Sequence, residues 1–367
     1  MLTAPYRRFT LRSAAIMGLA LFFVSASFAQ HYTRTDLTTN SSSVSSAPNI
    51  DPNLVNAWGL SRATSSPWWI ADNGTGLSTL YDLNGVAQSL VVTIPPPANK
   101  QGPSAPTGTV FNYTTGFEVA PGQPAAFIFV TEDGTISGWN PVVNLGEAVL
   151  MVNHPKKAIF KGCAIATSSA GTRLYVSNFV TGNLEVYNDH FHRLAAEENF
   201  HDSTLPANYV PFGVQNVGGN LVVTFAHRQP GSEDEDHGAG LGYVRVFDTK
   251  GNVLLRVQHG NFLNAPWGVA MASGDFGSFS HRLLIGNFGD GHINAFNALT
   301  GKFEGALLDT TGAPLWIDGL WALSFAGDAT KNGAPNELYF TAGPNDESNG
   351  LFGKIDASAL EQRGNSE

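Results

Sequence analysis

Short runs of apolar residues alternate with polar turns along this chain, and one such pattern recurs six times. It consists of a glycine, any residue, an apolar residue, two further residues, an aromatic or apolar residue, and then Asp or Asn. Ser78 breaks the apolar position in the first copy. The steps between copies are 58, 48, 60, 49 and 59 residues, and this regularity predicts a repeated supersecondary unit. The copies begin at Gly76, Gly134, Gly182, Gly242, Gly291 and Gly350.

Each copy belongs to a larger unit of four predicted strands. A β-rich run such as residues 127–133 precedes the copy, and a glycine-containing run lies further upstream. A turn such as residues 82–85 follows, and turns of this composition join antiparallel neighbours. We expect the upstream glycines to surround a central axis, because bulky side chains would clash where inner strands crowd together. These glycines are Gly59, Gly108, Gly162, Gly213, Gly268 and Gly319.

Six such units predict an all-β fold, a six-bladed β-propeller of four-stranded antiparallel blades. One four-stranded sheet cannot bury both of its faces, whereas six sheets packed radially can. The last unit supplies only three strands. We therefore expect residues 31–37 to pair beside residues 351–355 as the outermost strand of the last blade. Residues 30–367 then form a single domain.

The first 29 residues have the organisation of a secretory signal peptide. Arg7, Arg8 and Arg12 precede an apolar run over residues 14–24, and small residues lead to Ala29. The run is too short to span a bilayer, and the small residues suit cleavage after Ala29. We therefore expect a secreted or periplasmic protein that has no membrane association once residues 1–29 are removed.

Composition narrows the classes of partner. Only 14% of the 367 residues are charged, while 40 are Gly and 20 are Pro, which is typical of short strands and tight turns. Loss of residues 1–29 removes three arginines and moves the formal charge from −10 to −13. So acidic a protein argues against a nucleic-acid partner. Cys163 is the only cysteine and is interpreted as a buried apolar residue. We also expect the protein to be a monomer.

Several longer motifs resemble an uncharacterised family of exported bacterial proteins, some of which end in a PEP-type sorting tail. The motifs are "DPNLVNAWGLS", "WWIADNGTG", "NAPWGVAMA", "LLIGNFGDGHINAFN", "IDGLWALSF" and "LYFTAGP". The resemblance covers nearly all of the chain after residue 29. It implies a secreted propeller, but no established activity or catalytic residues. The chain ends in "EQRGNSE", so we expect no PEP-type sorting. The architecture is also similar to that of NHL-repeat and gluconolactonase-type propellers, which does not carry function.

Propeller geometry predicts where a site would lie. The loop leading into each innermost strand and the loop between the second and third strands open on one face, which we call the funnel face. Aromatic and polar side chains there predict a ligand site. Oxygen ligands from several blades suit calcium or another divalent cation. The alternative is that Asn and Asp beside glycine serve only their turns. The candidate ligand residues are Asn56, Trp58, Lys161, Trp267, Asp318 and His227, and the candidate metal ligands are Asp318, Asn56, Asn178 and Asn287.

Residues 231–240 place four carboxylates and His237 in one long loop on this face. The loop lacks the ligand spacing of an EF-hand, and we interpret it as a solvated, flexible lid. Two classes of function stay open. The first is an exported module, not itself catalytic, that binds a small molecule, glycan or extracellular protein at the funnel. The alternative is a metal-dependent hydrolase or lactonase, so the sequence does not decide whether the protein is an enzyme.

Overall fold

The structure, a computed structural model, describes Met1 and residues 30–358 apart from 156 and 198. Residues 2–29, on which the predicted signal peptide falls, lie outside the described residues. Within the described part of the chain, no helix is long and apolar enough to cross a membrane. The same residues form six antiparallel blades, and their innermost strands contact one another in a closed cycle. The predicted six-bladed β-propeller is confirmed.

Blades 1 to 5 run outward from the axis in chain order, and in blade 6 the N-terminal strand takes the outer position. Blade 1 contains Ala57–Ser61, Trp68–Asp72, Leu77–Tyr81 and Ala87–Thr93. Blade 2 contains Pro106–Phe111, Phe127–Thr131, Thr135–Trp139 and Val149–Asn153. Blade 3 contains Phe160–Ser168, Gly171–Asn178 and Asn183–Asn188.

The second half of the ring repeats this arrangement. Blade 4 contains Tyr209–Val217, Asn220–His227, Gly242–Phe247 and Val253–Arg256. Blade 5 contains Pro266–Met271, Arg282–Asn287, Ile293–Asn297 and Phe303–Ala306. Blade 6 contains Leu320–Phe325, Leu338–Ala342, Leu351–Ala357 and Tyr32–Thr39. The smaller elements are Asn49–Ile50, Glu118–Ala120, Gln123–Pro124, and the 3-10 turns Ala195–Glu197 and Gly277–Phe279.

The core lies between neighbouring blades. Second strands such as Trp68–Asp72 and Phe127–Thr131 are buried at every residue, because each is covered by a blade on either side. This explains why they are continuous apolar runs rather than alternating ones. In the outer strand Ala87–Thr93, by contrast, the first three residues and Thr93 are exposed, and only Val92 is buried. Cys163 is buried, as the sequence predicts.

The predicted ring closure is confirmed. Strand Tyr32–Thr39 pairs antiparallel with Leu351–Ala357, from Tyr32 opposite Ala357 to Thr39 opposite Leu351. Tyr32 is fully buried, and its hydroxyl donates a 3.1 Å hydrogen bond to the Phe276 carbonyl of blade 5. The closing strand is therefore fixed both by its sheet and by the neighbouring blade.

The predicted glycine ring is right in five blades and wrong in the sixth. A Cβ on Gly59 would lie 2.3 Å from the Thr107 carbonyl oxygen of the next inner strand, and one on Gly213 would lie 2.4 Å from that of Trp267. Gly319 instead precedes its strand and lies in a turn at φ +62°. Alignment of the inner strands places Ala322 at the blade 6 position, where a methyl group is accommodated.

Blade 3 is a second departure from the prediction. Over the described residues its sheet has three strands rather than four. The segment that follows makes one bridge, between Tyr187 and Arg193, and then the 3-10 turn Ala195–Glu197. Its sequence lacks the alternation of apolar and polar residues that a half-buried outer strand requires.

Candidate functional site

One position of the inner strands defines the centre of the funnel. The residue before each ring glycine, or before Ala322 in blade 6, has the same register in every blade, so the six side chains approach one axis. The rings of Trp58 and Trp321 stack with centroids 3.6 Å apart, and Trp267 meets both edge-on. Aromatic rings therefore fill the axis. The six residues are Trp58, Thr107, Lys161, Phe212, Trp267 and Trp321.

Lys161 is the one charged residue among these six. Its residue exposure is 1%, and its Nζ lies 2.6 Å from Glu132 Oε1, 3.5 Å from Asp234 Oδ1 and 3.8 Å from Glu235 Oε2. Burial alone would lower the pKa of Lys161, but these carboxylates more than offset burial and raise it. The ammonium group is therefore charged at neutral pH.

Two aromatic rings complete the surroundings of that ammonium group. Lys161 Nζ lies 5.3 Å from the ring centroid of Trp58 and 5.4 Å from that of Phe179. These distances suit cation–π attraction, which strengthens where water is excluded. The surroundings of Lys161 thus combine carboxylates and aromatic faces, the two kinds of group that bind alkylammonium ions.

Hydrogen bonds extend this cluster around the funnel. Glu132 Oε2 accepts from Asn73 Nδ2 at 2.9 Å, and Asn73 Oδ1 accepts from Asn56 Nδ2 at 3.2 Å. Asn56 Nδ2 also donates to Glu347 Oε2 at 2.6 Å. Polar side chains from blades 6, 1, 2, 3 and 4 are thereby linked. We call this set the funnel arc: Glu347, Asn56, Asn73, Glu132, Lys161 and Glu235.

Glu347 is held in the arc by a strained turn. Asn345, Asp346 and Glu347 have consecutive φ values of +56°, +49° and +62°, a region that residues other than glycine rarely adopt. Such strain persists only where the surrounding structure enforces it, and it concentrates at functional sites. Burial raises the pKa of Glu347 to about 7, with further increases from Glu235 and Glu132. Lys161 and the Asn56 bond act in the opposite direction.

The loop at residues 231–240 supplies Glu235, and here the predicted lid needs correction. Glu233 and Asp234 are exposed as expected, but the Glu235 side chain is only 4% exposed. Burial would raise the pKa of Glu235, yet His237 and Lys161 lower it. Glu235 Oε2 has no hydrogen-bond partner among the described residues. The loop is therefore anchored in the funnel by a buried carboxylate that is short of a donor.

A cleft of about 560 Å³ opens beside the arc. Glu132 and Asp234 line it and also contact Lys161, so these two carboxylates lie between the cleft and the buried ammonium group. Among the described residues, its other charged lining residues are Asp133, Glu233 and Lys100, of which Lys100 and Asp133 form an ion pair. The cleft is thus acidic, and its floor is apolar where Ala158 and Ile159 contribute.

Four of the six predicted ligand residues come together. Asn56, Trp58 and Lys161 belong to the arc or contact it, and Trp267 Nε1 donates a 2.8 Å hydrogen bond to the Lys161 carbonyl. Asp318 lies one step away, since its Oδ2 accepts from the Asn345 amide at 2.9 Å. His227 is to one side, with Nδ1 2.6 Å from Asp236 Oδ2.

The four predicted metal ligands are used differently. Asn178 Oδ1 accepts from the Val180 and Thr181 amides, so this side chain stabilises its own turn. Asn287 Nδ2 donates to the Phe262 carbonyl and to Asp290 Oδ1 within its blade. Over the described residues, no group of three or more His, Cys, Asp or Glu is arranged to hold a metal ion. Calcium binding at Asp318, Asn56, Asn178 and Asn287 stays a prediction.

Asn73, Glu132 and Glu347 are arc residues that are not among the candidate ligands predicted from the sequence. Glu347 lies in a loop that the sequence analysis does not single out. The available signal is loop length, because strands Leu338–Ala342 and Leu351–Ala357 are eight residues apart whereas those of blade 1 are four apart. A long loop on the funnel face is a candidate for binding, as in other scaffolds that carry function on loops. The left-handed turn that directs Glu347 inward has no signature in the sequence "NDES".

The fold and the funnel define a six-bladed β-propeller with a polar site at one end of its axis. No protein-family model matches the chain. The chain belongs to the same family as the uncharacterized proteins L690 and R648 of Acanthamoeba polyphaga mimivirus. They are 31% and 32% identical to it, over 84% of this chain in both cases and over 82% and 76% of the relatives. The exported bacterial family suggested by the motifs stays a prediction, because these relatives are viral.

Solved structures share the architecture at low identity. A glucose dehydrogenase is similar with a TM-score of 0.53 and 12% identity, over 89% of this chain and 100% of that one. The PQQ-bound aldose sugar dehydrogenase of Streptomyces coelicolor gives 0.51 and 11%, over 90% and 99%. A catalytically inactive virginiamycin B lyase of Staphylococcus aureus with quinupristin gives 0.50 and 12%, over 89% and 99%. At such identities the likeness shows the fold alone.

Proposed function

We propose that this propeller binds a small polar ligand on its funnel face, in the acidic cleft beside the funnel arc. The observation that carries the proposal is that Glu132 and Asp234, which line a cleft of about 560 Å³, also contact a buried charged group, Lys161. Cavities of this size suit small-molecule ligands, and a few convergent polar groups in them give specificity.

The cost of burying Lys161 supports a functional role for it. Moving a charged pair out of water is unfavourable, and apolar residues of similar volume often stabilise a protein as well or better. Four other blades show this, since Trp58, Phe212, Trp267 and Trp321 occupy the same register. A lysine at this position is therefore unfavourable for packing alone, and a role in binding explains its presence.

We further propose that the protein acts after export, in the periplasm or outside the cell. The support is the signal-peptide pattern of residues 1–29 and the resemblance of the motifs to exported proteins. The ligand would then be an extracellular small molecule. The alternative of a metal-dependent hydrolase or lactonase rests on the sequence pattern of Asp318, Asn56 and Asn178, and the geometry of the described residues adds no support for it.

A binding screen tests the main proposal. Residues 30–367 would be titrated with sugars, amino acids, carboxylic acids and amines, with tryptophan fluorescence as the signal because three tryptophans lie at the axis. Each compound that binds would be tested against Glu132→Gln and, as a control, against Lys250→Met at an exposed turn. Binding lost only in Glu132→Gln supports the site. Compounds that bind both variants equally, or no binding at all, would refute it.

A further inference from the structure

We propose that the ligand of the cleft is an organic cation with primary ammonium groups, such as an alkyl diamine, and that the carboxylates of the funnel arc hold one of its nitrogens. This rests on the proposed function and names the chemical class of ligand for the same site. Three features favour this class of ligand: the charge of the cleft, the surroundings of Lys161, and one buried carboxylate oxygen that accepts no hydrogen bond from the described residues.

The balance of charge favours a cation. Among the described residues, Glu132, Asp133, Glu233 and Asp234 line the cleft, and Lys100 is the one cation that does so. Lys100 is already paired with Asp133. An acidic cleft concentrates positive ligands and disfavours anions, because field lines are focused between low-dielectric walls.

The surroundings of Lys161 show how this part of the funnel holds an alkylammonium group. Its alkylammonium group is held by three carboxylates at 2.6–3.8 Å and by two aromatic faces. Glu347 also faces this cluster, and its pKa is raised by Glu235 and Glu132 and lowered by Lys161. A second ammonium group entering from the cleft would find the same kinds of partner.

Glu235 supplies a further observation, at the oxygen that lies 3.8 Å from Lys161 Nζ, beyond hydrogen-bond distance. Its side chain is 4% exposed, and its Oε2 has no hydrogen-bond donor within the described part of the chain. Leaving a buried carboxylate oxygen without a donor is costly, so such an atom in a folded protein requires an explanation. An N–H of a bound ammonium group would satisfy it. Access from the cleft requires a small displacement of the loop at residues 231–240, to which Glu235 belongs.

The geometry suits an ammonium group better than a metal ion. Calcium requires six to eight oxygens at about 2.3–2.6 Å, and among the described residues no three His, Cys, Asp or Glu side chains are arranged to hold a metal ion. An ammonium group needs only three acceptors at ordinary hydrogen-bond distances. The spread of distances around Lys161 already shows that the arc accommodates one.

Binding of a cation is expected to be linked to proton release. Without ligand, Glu347 takes up a proton as the pH falls through about 7, because it is buried and faces Glu235 and Glu132. Lys161 and the Asn56 amide oppose this uptake, and His237 also lies within electrostatic range. A bound ammonium group favours the ionised carboxylate. Affinity should therefore rise as the pH rises through about 7, while alkylammonium groups stay protonated to about pH 10.

Isothermal titration calorimetry of residues 30–367 with 1,4-diaminobutane tests the inference. Neutral 1,4-butanediol and calcium chloride at matched ionic strength are the comparison titrants. We expect the diamine alone to bind, up to about tenfold more tightly at pH 8 than at pH 6. Glu235→Gln should weaken binding at least about tenfold, and Glu347→Gln should remove the pH dependence. Asp275→Asn, which removes an exposed carboxylate on blade 5, should change neither.

The outcomes separate this inference from the proposed function. If the diol binds as tightly as the diamine, or if only other classes of compound bind at the cleft, the funnel is a site but its ligand is not a cation. If the diamine binds Glu235→Gln and wild type equally, attraction to the acidic surface explains the result and the inference fails. Binding of calcium in preference to the diamine would also overturn it. Near-ultraviolet circular dichroism would confirm that each variant is folded.

Discussion

Replacement of Lys161 by methionine gives the sharpest test of the funnel arc. Methionine keeps the length and most of the volume of the side chain but removes its charge. Glu132 and Glu235 then lose the cation that lies 2.6 Å and 3.8 Å away. The variant therefore isolates the electrostatic role of Lys161 from its packing role.

The loss of stability depends on how well water can solvate each carboxylate once the charge of Lys161 is removed. Removing one partner of a buried ion pair typically costs about 3–5 kcal/mol. Glu132 is 25% exposed and can be partly hydrated, whereas Glu235 is 4% exposed and cannot. We therefore expect the lower end of that range, a loss of about 3 kcal/mol in the free energy of unfolding at pH 8.

The loss should depend on pH in a definite direction. Removing Lys161 takes away an interaction that lowers the pKa of both Glu235 and Glu347. Carboxylates whose pKa is raised in the folded state stabilise it at low pH and lose that contribution as the pH rises through the folded pKa. The variant should thus be closer to wild type at pH 5 than at pH 8.

Urea unfolding followed by tryptophan fluorescence measures both quantities. The matched control is Lys100→Met, which breaks an ion pair whose lysine is 54% exposed and should cost less than about 1 kcal/mol. A loss below about 1 kcal/mol for Lys161→Met, or equal losses at pH 5 and pH 8, would show that the arc is hydrated and electrostatically weak. Either result would refute the reasoning that leads to the proposed site.

Three further predictions concern the fold and the titration of the arc. Gly213→Ala should destabilise the protein by about 2 kcal/mol in thermal unfolding, because the new Cβ meets the Trp267 carbonyl; Gly146→Ala, with open space around it, is the control and should be neutral. Tyr32→Ala should lower the free energy of unfolding in urea by about 4 kcal/mol, because the contacts of the closing strand are lost. Thr33→Ala, at an exposed neighbouring position, should lower it little, and equal losses would contradict the role of Tyr32 in ring closure. Glu347 stabilises the fold most below its ordinary pKa of 4.5 and loses that contribution as the pH rises toward about 7. Glu347→Gln should therefore flatten the dependence of stability on pH between those two values. An unchanged dependence would exclude Glu347 as the titrating group.

The repeat explains why so much of the fold could be predicted from the sequence. Every blade imposes the same steric demand, so glycine recurs where inner strands touch and apolar runs recur where blades stack. Gly319 does not belong to this ring. Its position requires glycine for a different reason, because the backbone there makes a left-handed turn at φ +62°. The correct residue, Ala322, is small enough for its position but does not stand out in the sequence.

The site was harder to predict because it breaks the repeat. Lys161 could be found, since a cation beside a ring glycine is unusual among the six blades. Glu347 could not, because its direction depends on three consecutive left-handed residues. Asp318 precedes an inner strand on the funnel face, but its side chain accepts a hydrogen bond from the Asn345 amide. The sequence pattern thus identifies residues that depart from the repeat, while the conformation of the loops decides which of those side chains contact one another in the funnel.

The closing strand has a consequence for how the protein is made. Thr39 of that strand and Gly350, at the start of its partner, are 311 residues apart yet are joined by a hydrogen bond. During synthesis, the first strand of the domain must wait for its antiparallel partner, Leu351–Ala357, until almost all of the chain has been made. An exposed edge of this kind invites pairing with other chains. A chain exported unfolded would delay the whole of folding to the far side of the membrane, where its two ends become available together.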